Sequence, residues 1–122
     1  IRYTYQNSAE MLVGSYKKVS QELLKRGYRE LIVKNYWTNS KSAYKGLNVF
    51  FEAPEGQIFE VQFHTPESFA LKDGPLHKLY EEFRDASTTE ARKAEIYTEM
   101  FRLSKTLQEP KGIKSIQSRS QK

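Results

Sequence analysis

The chain has 122 residues, 38% of them hydrophobic and 13% aromatic, which suffices for one domain with its own core and excludes a disordered chain. It has no cysteine, which excludes disulfides and thiolate metal sites, and no apolar run near the roughly 20 residues of a membrane span. Twenty Lys and Arg against fifteen Asp and Glu give a net charge of +5, which points to an anionic partner without choosing its class.

Ile1 to Tyr5 (IRYTY) is β-branched and aromatic and reads as a strand, with Ile1, Tyr3 and Tyr5 on one face and Arg2 and Thr4 on the other. The chain opens without methionine and inside this strand, so we expect it to be a piece of a longer protein. Ser8 is the predicted N-cap of a helix over Ala9 to Arg26, where Met11, Leu12, Tyr16, Val19, Leu23 and Leu24 recur at three- and four-residue spacing. Gly27 is the expected stop, and Leu31 to Lys34 reads as a second strand. Asn35 to Ala43 is a polar loop holding the only tryptophan and Lys41.

Tyr44 to Thr65 (YKGLNVFFEAPEGQIFEVQFHT) reads as a hairpin, strands three and four, turning at Pro54-Glu55-Gly56. That three-residue loop predicts that Phe50 faces Glu60, Asn48 faces Gln62 and Gly46 faces His64. Phe59, Val61 and Phe63 would then line the core. Asn48, Glu60, Gln62 and His64 would share the other face, next to a glycine. A slip of one residue would set Glu60 against Val49 and Phe51, which burial resists.

Beyond Thr65-Pro66 a short helix is expected over Glu67 to Leu71, broken at Asp73-Gly74-Pro75, with Pro75 opening the next helix. Leu76, Leu79, Tyr80 and Phe83 mark that helix. Ser87 and Glu90 suggest a capping box for a last helix reaching about Gln108, striped by Ala94, Tyr97, Phe101 and Leu103. Residues 110–122 read as a basic, mobile tail, and 1–109 as the single folded core. The fold class is α+β, a small mixed sheet of four or five strands flanked by helices.

Taken together, these residues resemble the synthetase domain of RelA/SpoT alarmone synthetases. The features are Glu60-Val61-Gln62 on a strand ending at Thr65, Tyr44 after a loop bearing Lys41, His77 with Tyr80 three residues on, and Arg2 in the first strand. The resemblance covers roughly Ile1 to Arg84 and is specific as an ensemble. It implies a nucleotidyltransferase-like fold and Mg²⁺-dependent transfer of the β,γ-pyrophosphate of ATP to the ribose 3′-hydroxyl of a purine nucleotide. The wording IRYT, YKGLNV and EVQFHTPES is similar to a divergent branch that includes secreted or toxin-like enzymes, some acting on adenosine nucleotides. Bacterial cytoplasm and secretion therefore both stand open.

Three departures bear on the site. The family usually has Arg at the position of His64 and Ser-Leu-His at Gly46-Leu47-Asn48. Its metal-binding Asp lies a few residues ahead of the first-strand Arg, before Ile1 here. These departures leave the acceptor base open between adenosine and guanosine nucleotides.

By this reading Glu60 and Gln62 are the catalytic candidates, Glu60 as metal ligand or base. The plain alternative for Glu60 is a solvated residue on an open sheet face. Gln62 would hydrogen-bond ribose or phosphate, or hold Glu60. Tyr44 would stack on a base, worth about 1–3 kcal/mol, against plain sheet packing. Arg2, Lys34, Lys41 and Lys45 would contact phosphate, and Asn48, His64 and His77 complete the nucleotide-binding set. Two histidines without close spacing argue against zinc. Two other readings stay open: a catalytically degenerate binder of nucleotide or RNA, and a pyrophosphokinase directed at tRNA, to which the basic tail would add salt-sensitive affinity.

Overall fold

The structure, a computed structural model, describes residues 1–120; Gln121 and Lys122, the end of the expected tail, lie outside them. Five strands, β1 (Arg2–Gln6), β2 (Arg29–Asn35), β3 (Leu47–Glu52), β4 (Ile58–His64) and β5 (Arg119–Ser120), form one sheet in the order β1-β4-β3-β2-β5. The pair β1–β4 is parallel and the other three are antiparallel, so the expected mixed sheet is present. The helices are α1 (Leu12–Lys25), α2 (Pro66–Leu71), α3 (His77–Arg84) and α4 (Glu90–Ser104).

The hairpin register is the expected one, with Phe50 opposite Glu60 and Asn48 opposite Gln62. Gly56 sits at φ +97° in the turn, and its N–H donates to the Ala53 carbonyl at 2.8 Å. Alternation then separates two faces. Val33, Val49, Phe51, Val61 and Phe63 point into a core that Leu12 and Val13 of α1 complete, with Tyr16, Val19 and Leu23 packed against it. The opposite face carries Arg2, Glu60, Asn48 and Lys34, whose strands pair Arg2 with Glu60 and Lys34 with Asn48.

Several local expectations change. Ser8 serves the start of α1 with its carbonyl, which accepts from the N–H groups of Met11 and Leu12, and no side chain caps the helix. The last helix is capped by Thr89, which accepts from the Arg92 N–H, while Ser87 bonds Asp85 instead. Asp73-Gly74-Pro75 does not break the chain's helical path. Lys72–Leu76 forms a π-helical joint between α2 and α3, with Pro75 inside it.

The larger correction concerns the tail. Residues 110–120 are packed into the fold. Ile113 is fully buried and Ile116 nearly so, both in the core under α1. The buried Asn35 amide donates to the carbonyls of Ile113 (2.9 Å) and Ile116 (2.8 Å), and β5 pairs with β2. Two isoleucines three residues apart supply the apolar surface that a basic composition conceals.

Candidate active site

The end of β4 builds the site. Glu60, Gln62 and His64 alternate onto one face of the sheet and are all buried, His64 completely. The plain alternative of a solvated Glu60 therefore does not hold: Arg2 and Asn48 engage its carboxylate, while Ser68 and Phe69 of α2 pack on His64. Thr65 caps α2 by accepting from the Ser68 N–H at 3.0 Å, and Pro66 takes the first helical turn. Ser68 Oγ is thereby brought to 2.8 Å from His64 Nδ1. Phe69 packs edge-on to the His64 ring.

The Arg2 Nε donates to Glu60 Oε1 at 2.7 Å, and the Asn48 amide donates to Oε2 at 3.1 Å. Tyr44 donates to Asn48 Oδ1 at 2.8 Å and lies 3.0 Å from His64 Nε2. Burial holds the Tyr44 phenol far above its usual range, opposed by the Asn48 hydrogen bond. Burial lowers the His64 imidazole to about 4, helped by the positive charge of Lys72, so the ring is neutral at pH 7. Gly46 makes the convergence possible: a Cβ there would meet the Tyr44 hydroxyl at 2.5 Å and His64 Cε1 at 2.9 Å.

Tyr44 also walls a cavity of about 430 Å³ between the 41–44 loop, the π-helical joint and α4. Lys41 and Lys72 give it positive charge against the single carboxylate of Asp73, His77 adds a polar edge, and Leu76, Tyr80, Tyr97 and Phe101 give it apolar and aromatic walls. A roomier hollow of about 860 Å³ lies against Tyr3, Tyr5, Leu23 and Phe59, but Glu55 is its sole charged lining residue, which ill suits an anion.

The site residues expected from sequence thus divide. Arg2, Asn48, Glu60, Tyr44 and His64 form one hydrogen-bonded group, and Lys41 and His77 face the adjoining cavity. His77 also pairs with Glu81 at 2.5 Å. Lys34 shares the sheet face but sits over the Phe50 ring, 5.8 Å from its centroid. Lys45 is turned away: its ammonium donates to the carbonyls of Asn39 (2.9 Å) and Tyr36 (3.3 Å), closing the loop. Asn48, and not Gln62, holds Glu60, while the buried Gln62 Oε1 has no hydrogen-bond partner among the described residues. Ser68 and Lys72 were missed. The Thr65-Pro66-x-Ser68 cap was a usable signal for Ser68, since it folds the hydroxyl back over the strand end.

Among the described residues no group of three or more His, Asp or Glu side chains could hold an ion, and both Glu60 oxygens are engaged.

No protein-family model matches the chain, and no curated protein matches it in sequence. Among solved structures it is similar to small alarmone synthetase 2 from Bacillus subtilis, at TM-score 0.62 and 17% identity over 84% of this chain and 56% of that one. Small alarmone synthetase 1 from Bacillus subtilis, bound to its product pppGpp, matches at TM-score 0.56 and 15% identity, over 86% of this chain and 53% of that one. A GTP pyrophosphokinase family protein from Streptococcus pneumoniae matches at TM-score 0.53 and 19% identity, over 86% and 56%. The chain spans little more than half the length of each of these proteins. At these identities the likeness establishes the fold, which is that of the small alarmone synthetases.

Proposed function

We propose that this chain belongs to an enzyme that transfers pyrophosphate from ATP to the 3′-hydroxyl of a purine nucleotide. The observation that carries the reading is Tyr44. Its ring walls the cationic cavity, and its hydroxyl leads through Asn48 to the Glu60 carboxylate. An acceptor base in the cavity would lie against an aromatic surface, with its ribose directed toward a carboxylate.

The acceptor oxygen attacks the β-phosphorus of ATP, the bond from that phosphorus to the α,β-bridging oxygen breaks, and AMP leaves. The hydroxyl proton passes to Glu60, whose two oxygens keep lone pairs beyond those that Arg2 and Asn48 use. Arg2, more than half exposed (57%), extends the rest of its guanidinium to phosphate oxygens. The unpartnered Gln62 Oε1 suits a ribose hydroxyl donor. Mg²⁺ would arrive with the nucleotide phosphates, which commonly supply most of its ligands beside one or two carboxylates.

One observation favours a second reading, a nucleotide- or RNA-binding domain without transfer: among the described residues Glu60 belongs to no group of three or more side chains that could hold a metal ion. The test uses the full-length protein with ATP labelled at the γ-phosphate, Mg²⁺ and each purine nucleotide in turn. A 3′-pyrophosphorylated product that is lost in Glu60→Gln supports transfer and identifies the acceptor. Nucleotide binding without product supports the second reading, and product with tRNA alone moves the acceptor to an RNA end.

A further inference from the structure

We propose that His64 and Ser68 are positioning residues that hold Glu60 through a hydrogen-bond relay of fixed direction, Ser68–His64–Tyr44–Asn48–Glu60, whose polarity the Glu60 carboxylate sets. The direction follows from donors and acceptors alone. Arg2 has only donors, and an ionised carboxylate only accepts, so Asn48 must turn its NH₂ toward Glu60 Oε2. Its oxygen then faces Tyr44, which spends its single proton on that bond. The Tyr44 oxygen can only accept from His64, so the imidazole proton sits on Nε2. Nδ1 is left as the acceptor of the Ser68 hydroxyl proton, and Ser68 Oγ in turn accepts from the Thr65 N–H at 3.0 Å. Ser68 alone has a second acceptor, the Thr65 carbonyl at 3.2 Å; Asn48, Tyr44 and His64 have no second choice while Glu60 is charged.

Reversing the charged end should reverse the chain. In Glu60→Gln the new amide keeps its oxygen on Arg2 and turns its NH₂ to Asn48. Asn48 flips to accept and offers its own NH₂ to Tyr44. Tyr44 then donates to His64 Nε2, and the imidazole proton moves by exchange with water to Nδ1, where Ser68 accepts.

Long-range ¹H–¹⁵N correlation of the imidazoles at pH 7, in the ¹⁵N-labelled chain, reads this directly, with His77 as the second histidine for reference. The expected result is the Nε2–H tautomer in the wild type and the Nδ1–H tautomer in Glu60→Gln. A wild-type Nδ1–H tautomer, or an unmoved tautomer in folded Glu60→Gln, overturns the relay. Asn48→Leu severs it, so His64 should lose its single tautomer there and respond no further to Glu60→Gln; an unmoved single tautomer again overturns it, even if Glu60→Gln alone does not fold.

The effect on rate rests on the transfer reading. In the full-length protein Ser68→Ala should lower kcat about tenfold. KM for ATP should stay within about twofold. An unchanged kcat removes the positioning role, whereas the expected tautomers with no transfer in any chain remove the transfer reading and leave the relay.

Discussion

The molecule buries two carboxylates, one on each face of the sheet, and each meets an arginine and neutral donors. Glu30 accepts from Ser20 Oγ at 2.8 Å and Tyr16 at 3.0 Å, and Arg119 of β5 pairs with its other oxygen. Glu60 accepts from Arg2 and Asn48. The difference lies in what comes next. Around Glu30 the donors are a helix, a strand end and nothing further, so the group fastens α1 and β5 to β2. Around Glu60 the donors lead on, through Asn48 and Tyr44, to a charged cavity. Similar local chemistry therefore makes a fastener in one place and, on the proposed transfer reading, a working site in the other, and continuity with an opening separates the two.

Exchanging the two carboxylates for amides gives the widest contrast. Glu60→Gln should lower transfer about 10³-fold, the scale of a lost general base. Glu30→Gln should leave the rate within about twofold and cost about 1–3 kcal/mol of stability, since Arg119 loses its charged partner. Rates and urea midpoints of both variants decide it; a rate collapse in Glu30→Gln would erase the distinction.

Next, the fastener's surroundings should answer to volume. Ile113→Ala removes a fully buried side chain beneath α1 and should cost about 3 kcal/mol by chemical denaturation, with the His64 tautomer unchanged. A mobile tail would show no loss.

Acid sensitivity should belong to the Glu60 side. His64 binds its proton at about 4 in the folded chain against about 6.5 when unfolded. Between those values the unfolded chain takes up a proton that the folded one refuses, so stability falls as pH drops through that window, by up to about 3 kcal/mol. His64→Gln should flatten the fall in a urea series from pH 7 to 4, and Ile113→Ala should keep it.

The smallest effect expected is that of Gly46→Ala, which sets a methyl 2.5 Å from the Tyr44 hydroxyl. Moving that hydroxyl aside should cost about 1–2 kcal/mol and detach Tyr44 from His64, visible as mixed tautomers. A single sharp tautomer would mean that the phenol has room.

Much of the sheet was legible in the sequence because strand alternation and a three-residue turn leave few registers. Glu60 beside Phe50, and Gln62 beside Asn48, follow from Pro54-Glu55-Gly56 alone. The burial of Glu60, Gln62 and His64 was not legible, because polar residues alternating with apolar ones describe an open face equally well. Their partners, Arg2, Asn48 and Tyr44 earlier in the chain and Ser68 and Phe69 later, leave no mark on the strand itself. Ile113 and Ile116 were hidden for a related reason: two apolar residues amid lysines and serines make no periodic signal. Lys45 looked like a phosphate contact by its place after Tyr44, yet backbone carbonyls of its own loop claim it. Pro75 looked like a helix start, but a π-helical turn absorbs it.

The strand order has a kinetic consequence. The central meander β2-β3-β4 joins neighbours in sequence, whereas the edge strands close long loops: Arg2 meets Glu60 across 58 residues and Arg119 meets Glu30 across 89. Loop closure of that length costs entropy before its contacts repay it, so both carboxylates are expected to acquire their arginines after the middle of the sheet exists. The same order read backwards makes detachment of β1 a small opening that need not melt the domain. On the proposed transfer reading, such an opening would part Arg2 from Glu60 without unfolding the core.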